Sequence, residues 1–108
     1  MTTFDDREKA FEKKFAHDQD LKFKSEARRN NMLGVWVAEK LGMTGDEVAA
    51  YQKEVRRADL AEAGDEDVFR KVRADLDAKG VSVSDEELRA QMITAMEQAI
   101  AQIEKERG

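Results

Sequence analysis

The residues that could carry chemistry in this chain are few in type. The only histidine, His17, stands beside Asp18, and the sequence contains no cysteine. This composition excludes disulfides, thiol nucleophiles, cysteine-based zinc sites and histidine-cluster metal sites. Carboxylates are abundant, but none stands with a second group at a spacing typical of acid-base or nucleophilic catalysis. We therefore expect a protein that is not an enzyme, requires no cofactor and has no metal site.

A short basic run is the second candidate for chemistry. Its cations are Lys22, Lys24, Arg28 and Arg29, which stand against one acid, Glu26. Guanidinium groups bind carboxylates and phosphates through paired hydrogen bonds, so the run is a candidate surface for an acidic partner or a phosphate-bearing ligand. The alternative interpretation is a solvated stretch of helix, which is the more common role of a charge run. Because the chain has no glycine-rich phosphate loop, any nucleotide binding would depend on side chains and be weak.

The N-terminal residues predict a helix with a narrow aromatic face. Over residues 3–16, Phe4, Phe11 and Phe15 recur at spacings of seven and four, and the other faces are charged. An isolated helix of this length is marginal in water. It either packs on the rest of the protein or becomes ordered when its aromatic face meets a partner groove.

The remainder of the chain predicts four helices. The sequence has no proline, and Gly42, Gly64 and Gly80 each follow an amphipathic run and precede a capping residue, as glycines beyond helix C-termini do. Four apolar stripes should meet in one core, with Trp36 as its largest anchor. Short connections favour packing of neighbouring helices. We predict an all-α protein in which residues 20–108 form a four-helix bundle and residues 1–19 form an N-terminal amphipathic helical segment.

Composition limits the functions that remain. The chain has 108 residues, 40% of them charged, and a net charge of −5. One small domain of this size has little room for a deep catalytic cavity. The acidic balance argues against nucleic-acid binding, and no stretch approaches the roughly 20 apolar residues of a membrane span. The charged N-terminus does not read as a signal peptide. We expect a soluble cytoplasmic protein that is a monomer when free.

Several runs of residues resemble one protein family. These runs are FDDREKAFE (4–12), KFAHD (14–18), LKFK (21–24), EARRN (26–30), LGVW (33–36) and EDVFRKV (66–72). Their order and spacing are similar to those of the zeta subunit of alphaproteobacterial F1F0-ATP synthase. Asn31 and Val37 stand where typical members have Lys and Ala, and both changes are mild.

The resemblance implies an inhibitor of ATP hydrolysis by the F1 sector. In such a protein a four-helix bundle carries a mobile N-terminal segment, which enters an alpha/beta interface near the gamma shaft and blocks rotation in the hydrolytic direction. The implied contact residues are Phe4, Arg7, Glu8, Phe11, Lys14 and Phe15. The alpha, beta and gamma subunits would be the partners, and the protein would associate with the membrane-bound synthase on its cytoplasmic face.

The family also implies weak binding of ATP or ADP. The candidate residues are the four cations of the basic run: Lys22, Lys24, Arg28 and Arg29. A small helical module that binds adenine nucleotide or another anionic ligand is therefore the alternative to the inhibitor.

Overall fold

Five helices make up the regular structure of the described residues. The computed structural model describes residues 3–59 and 65–107, with side chains described from Asp6 onward. The helices are α1 (Thr3–His17), α2 (Gln19–Lys40), α3 (Asp46–Ala58), α4 (Glu66–Ala78) and α5 (Asp85–Arg107). The all-α prediction is confirmed. Helices α2 to α5 correspond to the four predicted helices, and α1 to the N-terminal aromatic pattern.

The predicted glycines and caps set several helix boundaries. Gly42 and Gly80, which follow α2 and α4, have φ angles of 77° and 68°. Side chains with a Cβ atom rarely adopt this left-handed backbone. At the start of α5, the Glu87 amide donates to Ser84 Oγ at 3.0 Å. Gly64 lies outside the described residues.

The core formed by the described side chains consists of two apolar clusters. The first, here called the main cluster, joins α2, α3, α4 and the first half of α5. Its fully buried members include Leu33, Val55, Val72 and Leu88. The second cluster joins α1, the start of α2 and the second half of α5; its buried members are Phe15, Leu21, Met96, Ile100 and Ile103. Both clusters share the two long helices, α2 and α5.

Trp36 is not the largest buried anchor. The indole lies at the edge of the main cluster and is only partly buried, with Lys40 Nζ 4.6 Å from its ring centroid. The largest fully buried side chains are those of Arg29 and Tyr51. An indole near the end of α2 can cover the cluster with one face while the other faces the ammonium group.

A close approach of α2 and α3 depends on Gly34. A Cβ atom at this position would lie 3.1 Å from both Cα and Cγ of Gln52. Gln52 Nε2 also donates to the carbonyl of Asn31 at 3.1 Å. The missing side chain at Gly34 therefore allows α3 to pack directly on the α2 backbone.

Arg29 belongs to the interior and not to the solvated surface. Its Nη1 donates to Asp65 Oδ1 at 2.9 Å, and its Nε donates to Asn30 Oδ1 at 2.7 Å. Asn30 Nδ2 in turn donates to Asp59 Oδ2 at 2.9 Å. Since Asp59 follows α3 and Asp65 precedes α4, this network ties the middle of α2 to both helices. Neither interpretation of the basic run, as solvated helix or as docking surface, anticipated this burial.

Removing the buried cation should destabilise the bundle. Burial raises the pKa of Asp59, while the hydrogen bond from Asn30 and the charge of Arg29 oppose that rise. Arg29→Ala removes the buried cation that lies 3.8 Å from this carboxylate, and removal of one partner from a buried pair costs about 3–5 kcal/mol. We expect a loss of that order in the free energy of unfolding, measured by urea denaturation.

The matched control for this prediction is Arg28→Ala. Arg28 pairs with Glu106 on the surface, at 2.6 Å, so its removal should move the denaturation midpoint little. Equal losses for the two neighbouring arginines would contradict a special role for the buried network.

Candidate partner-binding site

Helix α1 is connected to α2 by a single residue, Asp18. Asp18 separates it from α2 and adopts φ −147° and ψ 88°, which interrupts the helical backbone. The Asp18 carboxylate accepts a hydrogen bond from the Leu21 amide at 2.9 Å and so caps α2. Because α2 has its own cap, it does not need α1 to complete its first turn.

Two ion pairs fix the register of α1 on α5. Arg7 forms a bidentate pair with Glu97, in which Nε lies 3.0 Å from Oε2. Lys14 Nζ lies 2.9 Å from Glu104 Oε1. Both pairs advance by seven residues on each helix, so α1 runs parallel to α5 with a heptad register. Ion pairs this exposed contribute little stability but select one alignment.

The aromatic face of α1 is covered by the second cluster. Phe15 is 8% exposed and packs with Leu21, Met96, Ile100 and Ile103, while Phe11 is half-buried against the same cluster. The rings of Phe11 and Phe15 are stacked, with centroids 6.5 Å apart. The structure therefore has α1 packed on the bundle, which was one of the two open alternatives for this segment.

The structure brings together four of the six predicted partner residues. Phe11 and Phe15 contact the apolar surface of α5, and Arg7 and Lys14 contact its carboxylates. Glu8 is half-buried within α1. The sixth predicted residue, Phe4, has its backbone in α1, but its side chain lies outside the described residues.

A further cation, Arg107, anchors the junction between α1 and α2. Its Nη1 lies 2.6 Å from Asp18 Oδ2, and its Nη2 lies 3.0 Å from Asp20 Oδ2. The hydrogen bond from Arg107, followed by that from the Leu21 amide, lowers the pKa of Asp18. His17, beside this junction, is exposed.

The residues predicted to bind nucleotide do not form one cationic surface. Lys22 pairs with Glu26, Lys24 with Asp20, and Arg28 with Glu106. Lys24 and Arg28 line one groove between α2 and α5, which they share with Glu106 and Arg107. Arg29 lies in the interior, as described above. The nucleotide-binding hypothesis stays a prediction, and the acids in this groove offset the charge that a phosphate would need.

Sequence reasoning missed the residues of α5 that receive α1. Glu97 and Glu104 stand seven apart, as Arg7 and Lys14 do, and an apolar residue lies between the members of each pair, Ile100 in α5 and Phe11 in α1. That matched spacing was the available signal. Phe23 was not singled out either; at 69% exposed it is the large apolar residue most open to solvent among those described. Single exposed apolar residues are ordinary and do not by themselves mark a site.

The comparisons with known proteins agree with this architecture. A family model described as ATPase inhibitor subunit zeta matches residues 1–102. A structure determined by solution NMR is similar to this chain, with 51% identity and a TM-score of 0.70, over 80% of this chain and 98% of its own. No curated protein matches the chain. Across residues 3–59 and 65–107, no helix has the length and apolar character needed to cross a bilayer.

Phe15→Ala should release α1 without unfolding the bundle. The second cluster is separate from the main cluster, so local detachment of α1 is available as a response. We expect faster hydrogen exchange at the amides of residues 6–17 and a nearly unchanged free energy of unfolding. Leu33→Ala, in the main cluster, should instead cost about 2–5 kcal/mol. Phe23→Ala is the control for loss of an exposed ring. If Phe15→Ala lowers the free energy of unfolding as much as Leu33→Ala does, local detachment of α1 is refuted.

Arg107→Ala should raise the pKa of Asp18 towards the ordinary aspartate value of about 3.9. In the intact protein the folded pKa lies below that value. The stabilisation is therefore complete above the ordinary pKa and is lost as the pH falls through the lowered one. NMR titration of the Asp18 carboxyl carbon measures the shift. Lys105→Ala removes a neighbouring positive charge that does not pair with Asp18, and an equal effect from it would exclude a specific contact.

Proposed function

Because this chain belongs to the ATPase inhibitor subunit zeta family, we propose that it inhibits ATP hydrolysis by the F1 sector of ATP synthase. In this proposal α1 enters an alpha/beta interface near the gamma subunit and blocks rotation in the hydrolytic direction. The alpha, beta and gamma subunits are the partners, and binding takes place on the cytoplasmic face of the membrane-bound synthase.

The observation that supports this proposal is the separate attachment of α1. The helix is joined to α2 through Asp18 alone and is held by the second cluster, while none of the α1 side chains described from Asp6 onward belongs to the main cluster. The bundle can therefore keep its core while α1 moves to another surface. A helix that must be inserted into a partner needs this kind of independence.

The chemistry of α1 fits insertion as a wedge. Phe11 and Phe15 form a stacked aromatic pair that would bury in an apolar groove, and aromatic side chains often dominate the binding energy of interfaces. Arg7 and Lys14 flank them and would select the register through charge. No bond is made or broken in this mechanism, because obstruction of a rotating shaft requires only that the wedge stay in place.

Binding must overcome two costs. Helix α1 leaves its contacts with α5, and its side chains lose conformational freedom again at the new interface. Released α1 is a short helix of marginal stability in water, so the second cost includes ordering its backbone as well as its side chains. We therefore expect the strength of inhibition to depend on how well a groove of F1 fits α1 more than on general charge attraction.

Truncation provides the direct test. We expect the full chain to inhibit ATP hydrolysis by purified cognate F1, and a chain that begins at Leu21 to be inactive. Circular dichroism of the truncated protein should confirm that the bundle remains helical. Inhibition by a folded truncated bundle at the same concentrations would contradict the wedge mechanism, and absence of inhibition by the full chain would contradict the proposed function itself.

A full-length variant with Phe4→Ala, Phe11→Ala and Phe15→Ala removes the aromatic face and keeps the chain length. Loss of one aromatic anchor at about 2 kcal/mol corresponds to roughly thirtyfold in affinity. We expect the concentration for half inhibition to rise by at least that factor. Phe23→Ala, an exposed phenylalanine outside α1, is the matched control and should inhibit like the unchanged protein.

A further inference from the structure

We infer that α5 competes with F1 for the same face of α1, so that the docked form of this protein is an inactive store of the inhibitor. The competing surface, here called the acidic cradle, consists of Glu97, Ile100 and Glu104. The inference rests on the proposed function, because it concerns which state of α1 is available to insert.

The face that α1 would present to a partner is covered in this structure. Phe15 is 8% exposed in the docked form, and Phe11 is half-buried beside it. Both flanking cations, Arg7 and Lys14, already pair with carboxylates of α5. One face of a helix cannot be covered by α5 and by F1 at the same time. Binding to F1 through these residues therefore requires α1 to leave the acidic cradle.

The junction is built so that α1 can leave without disturbing the bundle. Asp18 caps α2 from its own side chain, and Arg107 of α5 holds both Asp18 and Asp20. None of these contacts involves a side chain of α1. Two hydrogen bonds cross the junction to the backbone of α1, and both end on the carbonyl of Phe15, which accepts from the Asp18 amide at 3.3 Å and from Gln19 Nε2 at 3.0 Å.

The acidic cradle also indicates the chemistry of the competing site on F1. A surface that takes α1 away from α5 has to satisfy the same groups: two stacked rings and two cations seven residues apart. A heptad spans about 10 Å along a helix. The fitting partner surface is therefore an apolar groove with two carboxylates separated by about that distance.

This competition has a quantitative consequence. When only a fraction of the molecules has α1 released, the apparent dissociation constant equals the intrinsic one divided by that fraction. A change on α5 that favours release should therefore strengthen inhibition, although α5 does not touch F1 in this mechanism. A change that prevents release should abolish inhibition while leaving every residue of the inserted face in place.

A reversible disulfide between α1 and α5 tests whether preventing the release of α1 abolishes inhibition. Ala10 and Ala101 line the groove between α1 and α5, and the chain has no natural cysteine. In the double variant Ala10→Cys/Ala101→Cys, we expect the oxidised monomer to need at least a tenfold higher concentration for half inhibition of cognate F1, and reductant to restore the original value. The unchanged protein with and without reductant, and each single-cysteine variant, are the controls.

Charge reversal on the acidic cradle tests whether favouring the release of α1 strengthens inhibition, and it does not depend on disulfide formation. Glu97→Lys/Glu104→Lys places like charges against Arg7 and Lys14. We expect faster hydrogen exchange over residues 6–17 and at least a threefold lower concentration for half inhibition. Glu39→Lys/Glu86→Lys makes the same change in net charge at exposed sites outside the acidic cradle, and it controls for general attraction to F1.

The outcomes separate the inference from the proposed function. If the oxidised lock inhibits as well as its reduced form, or if charge reversal leaves either exchange or inhibition unchanged, the competition is refuted while inhibition by α1 stands. If neither the unchanged protein nor the reduced variant inhibits F1, the proposed function fails, and the inference fails with it.

Discussion

The pairing of the two long helices, α2 and α5, is the interaction on which the rest of the fold depends. Helix α2 has 22 residues and α5 has 23, so each is about 33 Å long. One half of the pair holds α3 and α4 through the main cluster, and the other half holds α1 through the second cluster. With 40% of its residues charged, the chain places its apolar side chains in two clusters along this pair.

Charged residues have different roles in the interior of the bundle and at the contact between α1 and α5. Arg29 is buried with Asn30 near Asp59 and Asp65, where a guanidinium is tolerated only because acids surround it, and its main effect is to specify how α2 meets α3 and α4. The pairs of Arg7 and Lys14 with α5 lie in water, which weakens them. The bundle therefore has an interior whose helix packing is specified by buried polar contacts, and a first helix whose register is set by weak, exposed ion pairs.

This difference in attachment connects the fold with regulation by binding. An inhibitory subunit needs a stable body and an element that can change partners, and both are present on one helix pair. In the proposed mechanism, the same aromatic rings and cations serve α1 in either location. The balance between the two locations would then depend on the acidic cradle of α5, which takes no part in the proposed obstruction of the enzyme. Such a division allows the strength of inhibition to be adjusted without altering the inserted face.

The sequence by itself determined the helices, their glycine boundaries at Gly42 and Gly80, the aromatic face of α1 and the family. These features depend on periodicity and capping, which act between residues three or four positions apart. The tertiary structure decided that Arg29 is buried, that Gly34 admits Gln52, and that α5 receives α1. The Arg7–Glu97 contact joins residues 90 positions apart. Several packing arrangements would bury the same apolar stripes. Contacts at this separation are therefore determined only by which helices pack together and in which register.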